Sequence, residues 1–307
     1  MATDYFDLQL NGCHGVDLNA DGLAIDACHA LCEKLRTDGL RHVLATIVTD
    51  DLDRMAARLA KIAAIRRQDP LAASVILGIH VEGPFLNPEP GYVGAHPRES
   101  IRPADLDAMK RLIDAAEGLV RIVTLAPEHD AGLKVTRWLA GQEIVVSAGH
   151  CNPSLDQLRA AIDVGVSMFT HLGNGCPMFL HRHDNIIQRV LSVANALWIC
   201  FIGDGVHIPY PTLANYLRCV PPDRAIIVSD AISAAGLGPG RYTLGSQTVE
   251  IGDDLAARSP DGSHFMGAAA TMPQIAVGLR DKAGLDDAAI RGLLLTNPSR
   301  AIGVPAK

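Results

Sequence analysis

The stretch EIVVSAGHCNPSLDQLRAAIDVGVSMFTH, residues 143–171, decides the fold. It opens on an apolar run, Glu143 to Ser147, crosses a polar loop, takes helical spacing over Leu155 to Val164, and returns to an apolar run, Ser167 to Thr170. Strand, loop, helix and strand in that order is the unit of a parallel sheet. The pattern recurs on both sides of this stretch. Strands are predicted at Tyr5 to Leu10, Val43 to Val48, Ser74 to His80, Val120 to Leu125, Leu197 to Ile202 and Ala225 to Ser229 as well, making eight. Helices are predicted at Ile25 to Leu35, Leu52 to Arg67, Pro103 to Ala116, Gly132 to Leu139 and Tyr210 to Leu217, with Met272 to Lys282 and Asp287 to Leu295 after the eighth strand. Eight strands alternating with helices in 307 residues favour an α/β (β/α)8 TIM barrel over a doubly wound sheet, which usually has about five to seven strands. No linker, charge block or internal repeat divides the chain, so residues 1–307 are expected to form a single barrel domain. The one decoration expected is a small β-hairpin near 237–264.

Composition narrows the function. Hydrophobic residues are 48% and charged residues 20%, which excludes disordered, collagen-like and coiled-coil chains. With 27 basic against 34 acidic residues the formal charge is −7, unfavourable for broad contact with nucleic acid or anionic lipid. The start, MATDYFDLQLNG, has no basic region followed by an apolar one, and no run approaches the ~20 apolar residues of a membrane span, so a cytoplasmic protein is expected. The seven cysteines, at 13, 28, 32, 151, 176, 200 and 219, form no CxxC pair and read as reduced, mostly buried thiols.

In a barrel of this kind the chemistry sits where strands end. The first predicted strand ends at Gln9 and Asn11, the third at His80 and Glu82, the fifth at His150, the sixth at His171, the seventh at Asp204 and His207, and the eighth at Asp230. Glu82, His150 and His171 supply one carboxylate and two imidazoles, the three-ligand set of a catalytic divalent ion with an open position. Such an ion lowers the pKa of its water to about 7 and polarises a carbonyl, and a carboxylate must then carry the proton to a leaving group. Asp230 is placed for that work. Arg182 and His207 supply cations near the same rim, and the backbone amides of Asn174 and Gly175 in HLGNGCP could add donors. His181 and His183 follow no strand and read as loop residues. The six lysines end no strand, and GxGxxG after the first strand, GxxxxGK[ST] and GxSxG are all missing, so Schiff-base aldolases, nucleotide binding and serine hydrolysis drop out.

Taken together, QLNGCHGVDLN (9–19), HVEGPFLNP (80–88), GAHP (94–97), VSAGHCNPSLDQLRAAIDVGV (146–166), THLGNGCP (170–177), GDGVH (203–207), VSDAISAAG (228–236), GSHFMGAAATM (262–272) and NPSRAIGV (297–304) resemble the N-acetylglucosamine-6-phosphate deacetylase family of the amidohydrolase superfamily. The resemblance implies that Glu82, His150 and His171 hold the metal, that Asp230 is the acid/base residue, and that His96 joins it near the acetamide. It also implies that Ala95, His96, Asn174, Gly175, Arg182, His207 and a turn at Phe265, Met266 and Gly267 surround the sugar phosphate, with Arg182 and His207 at the 6-phosphate. A homodimer is implied too, because relatives complete the phosphate site across subunits. Gln9 and Asn11 stand where many superfamily members carry His-x-His. Amides are poor ligands for a second zinc, so one metal per subunit is expected, with Zn(II), Fe(II) and Co(II) all compatible. The flanking β-sandwich usual in relatives is expected to be missing. The leading function is deacetylation of an N-acetylhexosamine 6-phosphate to the amino-sugar 6-phosphate and acetate. The alternatives are an amidohydrolase on another N-acyl substrate and a catalytically weak sugar-phosphate-binding barrel.

Overall fold

The computed structural model describes residues 4–244, 247–262 and 265–305. Eight strands form one sheet: β1 (Tyr5–Leu10), β2 (Leu40–Val48), β3 (Ile76–Glu82), β4 (Val120–Leu125), β5 (Val145–Ala148), β6 (Val166–Phe169), β7 (Trp198–Ile202) and β8 (Ala225–Val228). They neighbour one another in chain order and pair in parallel. The ring closes where β1 meets the end of β8. Asp230 N donates to Gln9 O at 3.0 Å, Asn11 N donates to Ala231 O at 2.9 Å, and Leu10 bridges Ala231 in parallel.

Strands buried on both faces explain the near-continuous apolar runs read from sequence. One face, from Phe6, Leu8, Leu44, Ile122, Met168, Ile202, Ile226 and Val228, forms a cluster inside the ring. The other packs against helices at Ile25–Thr37, Leu52–Gln68, Leu106–Ala115, Lys134–Gly141, Leu155–Val164 and Tyr210–Cys219. After the last strand come Met272–Asp281 and Asp287–Arg291, then a π turn at Gly292–Thr296 and a helix at Asn297–Ala301, which bring Leu295 and Ile302 against the inner cluster.

Three expectations change. The run Ser74 to His80 begins too early, because Pro70–Val75 is helical: Asp69 accepts from Leu71 N and Pro70 occupies the first turn, where its missing N–H costs nothing. A helix at Ile186–Ser192, capped by Asn185, had no counterpart in the sequence reading. The hairpin expected near 237–264 is the larger part of a four-stranded antiparallel sheet: β9 (Gly240–Leu244), β10 (Gln247–Ile251), β11 (Ala256–Arg258) and β12 (Phe265–Ala268). Residues 245–246 and 263–264 of that stretch lie outside the described residues. This sheet buries Val249, Ile251, Ala257 and Met266 against Ile232 and Ala234, and Ala268 of β12 bridges Ala231 at the barrel seam. A hairpin alone has too little apolar surface to be stable; docking on the seam supplies it.

Of the cysteines, 13, 28, 32, 151 and 200 are buried, Cys176 is half-buried and Cys219 exposed, all as free thiols. Among the described residues no helix is long and apolar enough to cross a membrane.

Candidate active site

Glu82 ends β3, His150 follows β5, His171 follows β6, and all three side chains are buried. His171 Nε2 lies 3.0 Å from Glu82 Oε1, His150 Nε2 lies 3.3 Å from the same oxygen, and the two imidazole nitrogens are 3.2 Å apart. A tetrahedral ion at about 2.0–2.1 Å from its ligands separates them by about 3.3–3.4 Å, so this triangle fits a borderline divalent metal such as zinc. The tautomer fits as well. His150 Nδ1 stands 2.7 Å from Tyr92 O, and a carbonyl only accepts, so the proton is on Nδ1 and the lone pair on Nε2 faces the centre. Burial disfavours a charged Glu82, but its contacts with the His150 and His171 rings outweigh it and hold the carboxyl well below its usual range. Burial lowers His171 and the Glu82 hydrogen bond raises it, with a net upward shift. Among the described residues this is the only His/Cys/Asp/Glu trio gathered closely enough to hold an ion.

The backbone at this site is strained. His150, His171 and Asp230 have φ of 49°, 32° and 50°, in the left-handed region that non-glycine residues seldom occupy. Three such residues at the ends of three strands mark a place where geometry is held against local preference, as functional sites are. Two glycines make room for the His150 ring. A Cβ at Gly94 would stand 2.7 Å from its Cε1, and one at Gly175 would stand 2.9 Å from its Nδ1.

Asp230 stands across from Glu82. Its Oδ1 accepts from Asn11 Nδ2 at 2.8 Å and from Gln9 Nε2 at 3.2 Å, and the same Gln9 nitrogen lies 3.2 Å from Glu82 Oε2. Burial, and then repulsion by Glu82, pushes the Asp230 carboxyl up to about 6. His96 reaches in from the loop after β3. Its Nε2 is 3.3 Å from His150 Nε2, the rings meet edge to face, and burial followed by His150 lowers it to about 3. Gln9 and Asn11 carry a role that sequence reading missed: their amide chemistry argued against ligation, but nothing local showed which carboxylate they would meet.

Around this centre the expected substrate residues divide. Asp204 and His207 form a buried pair at 2.7 Å, and the His207 ring lies 4.8 Å from Phe265. Burial opposes the charge on Asp204, but the His207 hydrogen bond keeps its carboxyl below the usual range. The Arg258 guanidinium stands over the same Phe265 ring, 5.5 Å from its centroid. Phe265 to Gly267, expected as a turn, lies in strand β12, and the Met266 side chain points into the core of the inserted sheet, because alternate residues of a strand face opposite ways. The Asn174 backbone N–H is spent on His171 O at 3.0 Å, so it is not the free donor expected; its side-chain Nδ2 is buried and without an acceptor among the described residues. A buried donor left open costs about 1–3 kcal/mol unless something completes it. Ala95 is exposed beside His96, and Arg182 is exposed and makes no hydrogen bond or ion pair among the described residues. His80 is bonded to Leu8 O at 3.1 Å and Thr124 Oγ1 at 2.7 Å rather than to any of the trio. His181 and His183 are exposed loop residues.

No protein-family model matches the chain. Among curated proteins, the chain is similar to N-acetylgalactosamine-6-phosphate deacetylase of Escherichia coli O157:H7, 30% identical over 300 residues that cover 98% of this chain and 77% of that one. It is likewise 30% identical over 302 residues to N-acetylglucosamine-6-phosphate deacetylase of Bacillus subtilis (strain 168), covering 97% and 74%. Among solved structures, a mutant of N-acetyl-D-glucosamine-6-phosphate deacetylase from Mycobacterium smegmatis in complex with N-acetyl-D-glucosamine-6-phosphate superposes with a TM-score of 0.87 at 29% identity, over 98% of this chain and 77% of that one.

Proposed function

The chain belongs to the N-acetylglucosamine-6-phosphate deacetylase family, and from that premise we propose that it hydrolyses the N-acetyl amide of an N-acetylhexosamine 6-phosphate, foremost N-acetylglucosamine 6-phosphate, to acetate and the amino-sugar 6-phosphate. The observation that carries this reading is the buried Glu82–His150–His171 trio with Asp230 across from it. One divalent ion, zinc in our reading, is assigned to the trio, and when bound it supplies Lewis acidity toward the acetamide carbonyl and the attacking water. Asp230 takes a proton from that water as the C–O bond forms and returns it to the nitrogen as the C–N bond breaks. Burial and the neighbouring Glu82 raise the Asp230 carboxyl above its ordinary range, which favours a group that must both take up and give back a proton. His96, beside His150, is assigned to hold the acetamide, and Ala95, the Asn174 side chain, Gly175, His207 and Phe265 to Gly267 to surround the sugar phosphate. Arg182 is assigned to the 6-phosphate with His207, and in our reading a neighbouring protomer completes that site, which makes the functional unit a homodimer. We read the barrel and its inserted sheet as one catalytic domain. A cytoplasmic location follows from the substrate, since an ionised phosphate does not cross a bilayer unaided.

The test is acetate release by zinc-loaded protein from N-acetylglucosamine 6-phosphate, its galacto epimer and the unphosphorylated sugar. Turnover of a phosphorylated sugar that disappears on chelation and returns with zinc is the expected result. No turnover of either epimer by protein carrying a full equivalent of metal would overturn the assignment.

A further inference from the structure

Four hydrogen bonds join the side-chain amides of Gln9 in β1 and Asn11 just after it to the two carboxylates of the site, and their arrangement is asymmetric. Glu82 presents Oε1 to both histidines, and Gln9 Nε2 reaches both of its oxygens, 3.2 Å from Oε2 and 3.3 Å from Oε1. Asp230 gives Oδ1 to both amides, at 3.2 Å from Gln9 and 2.8 Å from Asn11, while its Oδ2 accepts no hydrogen bond among the described residues. A primary amide nitrogen carries two hydrogens. Gln9 can therefore serve Glu82 with one and Asp230 with the other.

The main chain that carries both amides is itself fixed. The Gln9 N–H donates to Asp7 Oδ1 at 3.1 Å, and its carbonyl accepts from Asp230 N. Asn11 N donates to Ala231 O at 2.9 Å, and Asn11 O accepts from Leu18 N at 3.0 Å. Amide donors and carboxylate thus hang from the same backbone seam, where β1 meets the end of β8, so their relative placement is set by main-chain bonds.

We infer that Gln9 and Asn11 are positioning residues for the two carboxylates: they tie up Asp230 Oδ1 so that Oδ2 alone carries protons, and Gln9, within hydrogen-bond reach of both Glu82 oxygens, holds the orientation of the carboxylate whose Oε1 meets both histidines. Neither amide touches the reacting atoms. Gln9 acts on both carboxylates and Asn11 on Asp230 alone, which separates them experimentally. The inference rests on the deacetylase reading for its kinetic consequence, and on the ligand trio for its spectroscopic one.

The variants are Gln9→Met and Asn11→Leu, each close in shape to the residue replaced and without its donors. The intact protein is loaded with zinc for kinetics and with cobalt(II) for visible absorption, which reports the coordination at the metal. Losing an outer-shell hydrogen bond of this kind typically costs about 10–100-fold, so both variants are expected to lose kcat in that range with KM held within about threefold and one metal still bound. The cobalt spectrum should change in Gln9→Met and match wild type in Asn11→Leu. Wild-type kcat in Asn11→Leu, or a cobalt spectrum unmoved by Gln9→Met, would overturn the inference. Should Gln9→Met fail to fold, Gln9→Leu carries the cobalt comparison in its place, and the kcat-against-KM split in Asn11→Leu decides the role of Asn11. Wild-type protein inactive on both epimers would refute the deacetylase reading instead, and the cobalt comparison would still decide the role of Gln9.

Discussion

Replacing Asp230 by Asn separates catalysis from stability in a single substitution. The amide is isosteric, and its Oδ1 still accepts from Asn11 Nδ2 and Gln9 Nε2, so the local geometry is kept. What disappears is a base at Oδ2. General acid–base catalysis contributes about 10²–10⁴ per transfer, and Asp230 is assigned two transfers, so kcat should fall on the order of 10⁴, equivalent to about 5.5 kcal/mol. Stability should move the other way. The folded-state pKa is raised from 3.8 to about 6, so the group's favourable contribution is complete below 3.8 and is lost as pH rises through 6. Above pH 6 the metal-free wild type therefore keeps a buried charge that costs on the order of 3 kcal/mol relative to the unfolded chain. The Asn variant has no such charge. In chelated protein at pH 8 its Tm should exceed that of wild type by about 5 °C, and the gap should close toward pH 4. The assays are acetate release with metal content measured alongside, and thermal unfolding of the apo proteins across pH. Turnover within tenfold of wild type at full metal occupancy would refute the acid/base assignment. An apo variant no more stable at pH 8 would refute the electrostatic account of the site.

With metal bound, the added cation favours the ionised carboxyl, so kcat should show an acidic limb at or below about pH 6, falling tenfold per unit as Asp230 is protonated; a rate that rises toward low pH would reject Asp230 as the base. Gly94→Ala should weaken metal binding by about tenfold or more, read by chelator competition on folded protein, because the added Cβ would stand 2.7 Å from His150 Cε1 at a residue with φ of 59°. Asp7, buried beside Ser229, is raised to about 7 by burial, partly offset by its hydrogen bonds. Its contribution is thus full below pH 3.8 and lost as pH rises to about 7, so Asp7→Asn should flatten the decline of stability across that window in urea titrations.

Much of the architecture was legible because the signals are local. Val166–Phe169 and Leu155–Val164 appear as an apolar run and a helical spacing within a few residues of where they lie. The trio was legible for the same reason: in a parallel barrel every strand end points to one face, so naming the residues after the apolar runs names the site. Short elements escaped that reading. Pro70–Val75 and Ile186–Ser192 have six and seven residues, less than two turns and a little under two turns respectively, too few for periodicity to register. The inserted sheet escaped because its core is shared with Ile232 and Ala234 outside it.

The sequence by itself determined the strand and helix alternation, the chemistry of each strand end and the overall charge, all of which depend on neighbours along the chain. Only the tertiary structure decided how those ends meet. Gln9 reaches Asp230 across 221 residues of sequence, and does so because the ring closes in a register that sets β1 beside the end of β8. The same closure committed the Asn174 backbone to His171 and turned Met266 into a core. Ring closure is a property of all eight strands at once, and no local pattern carries it.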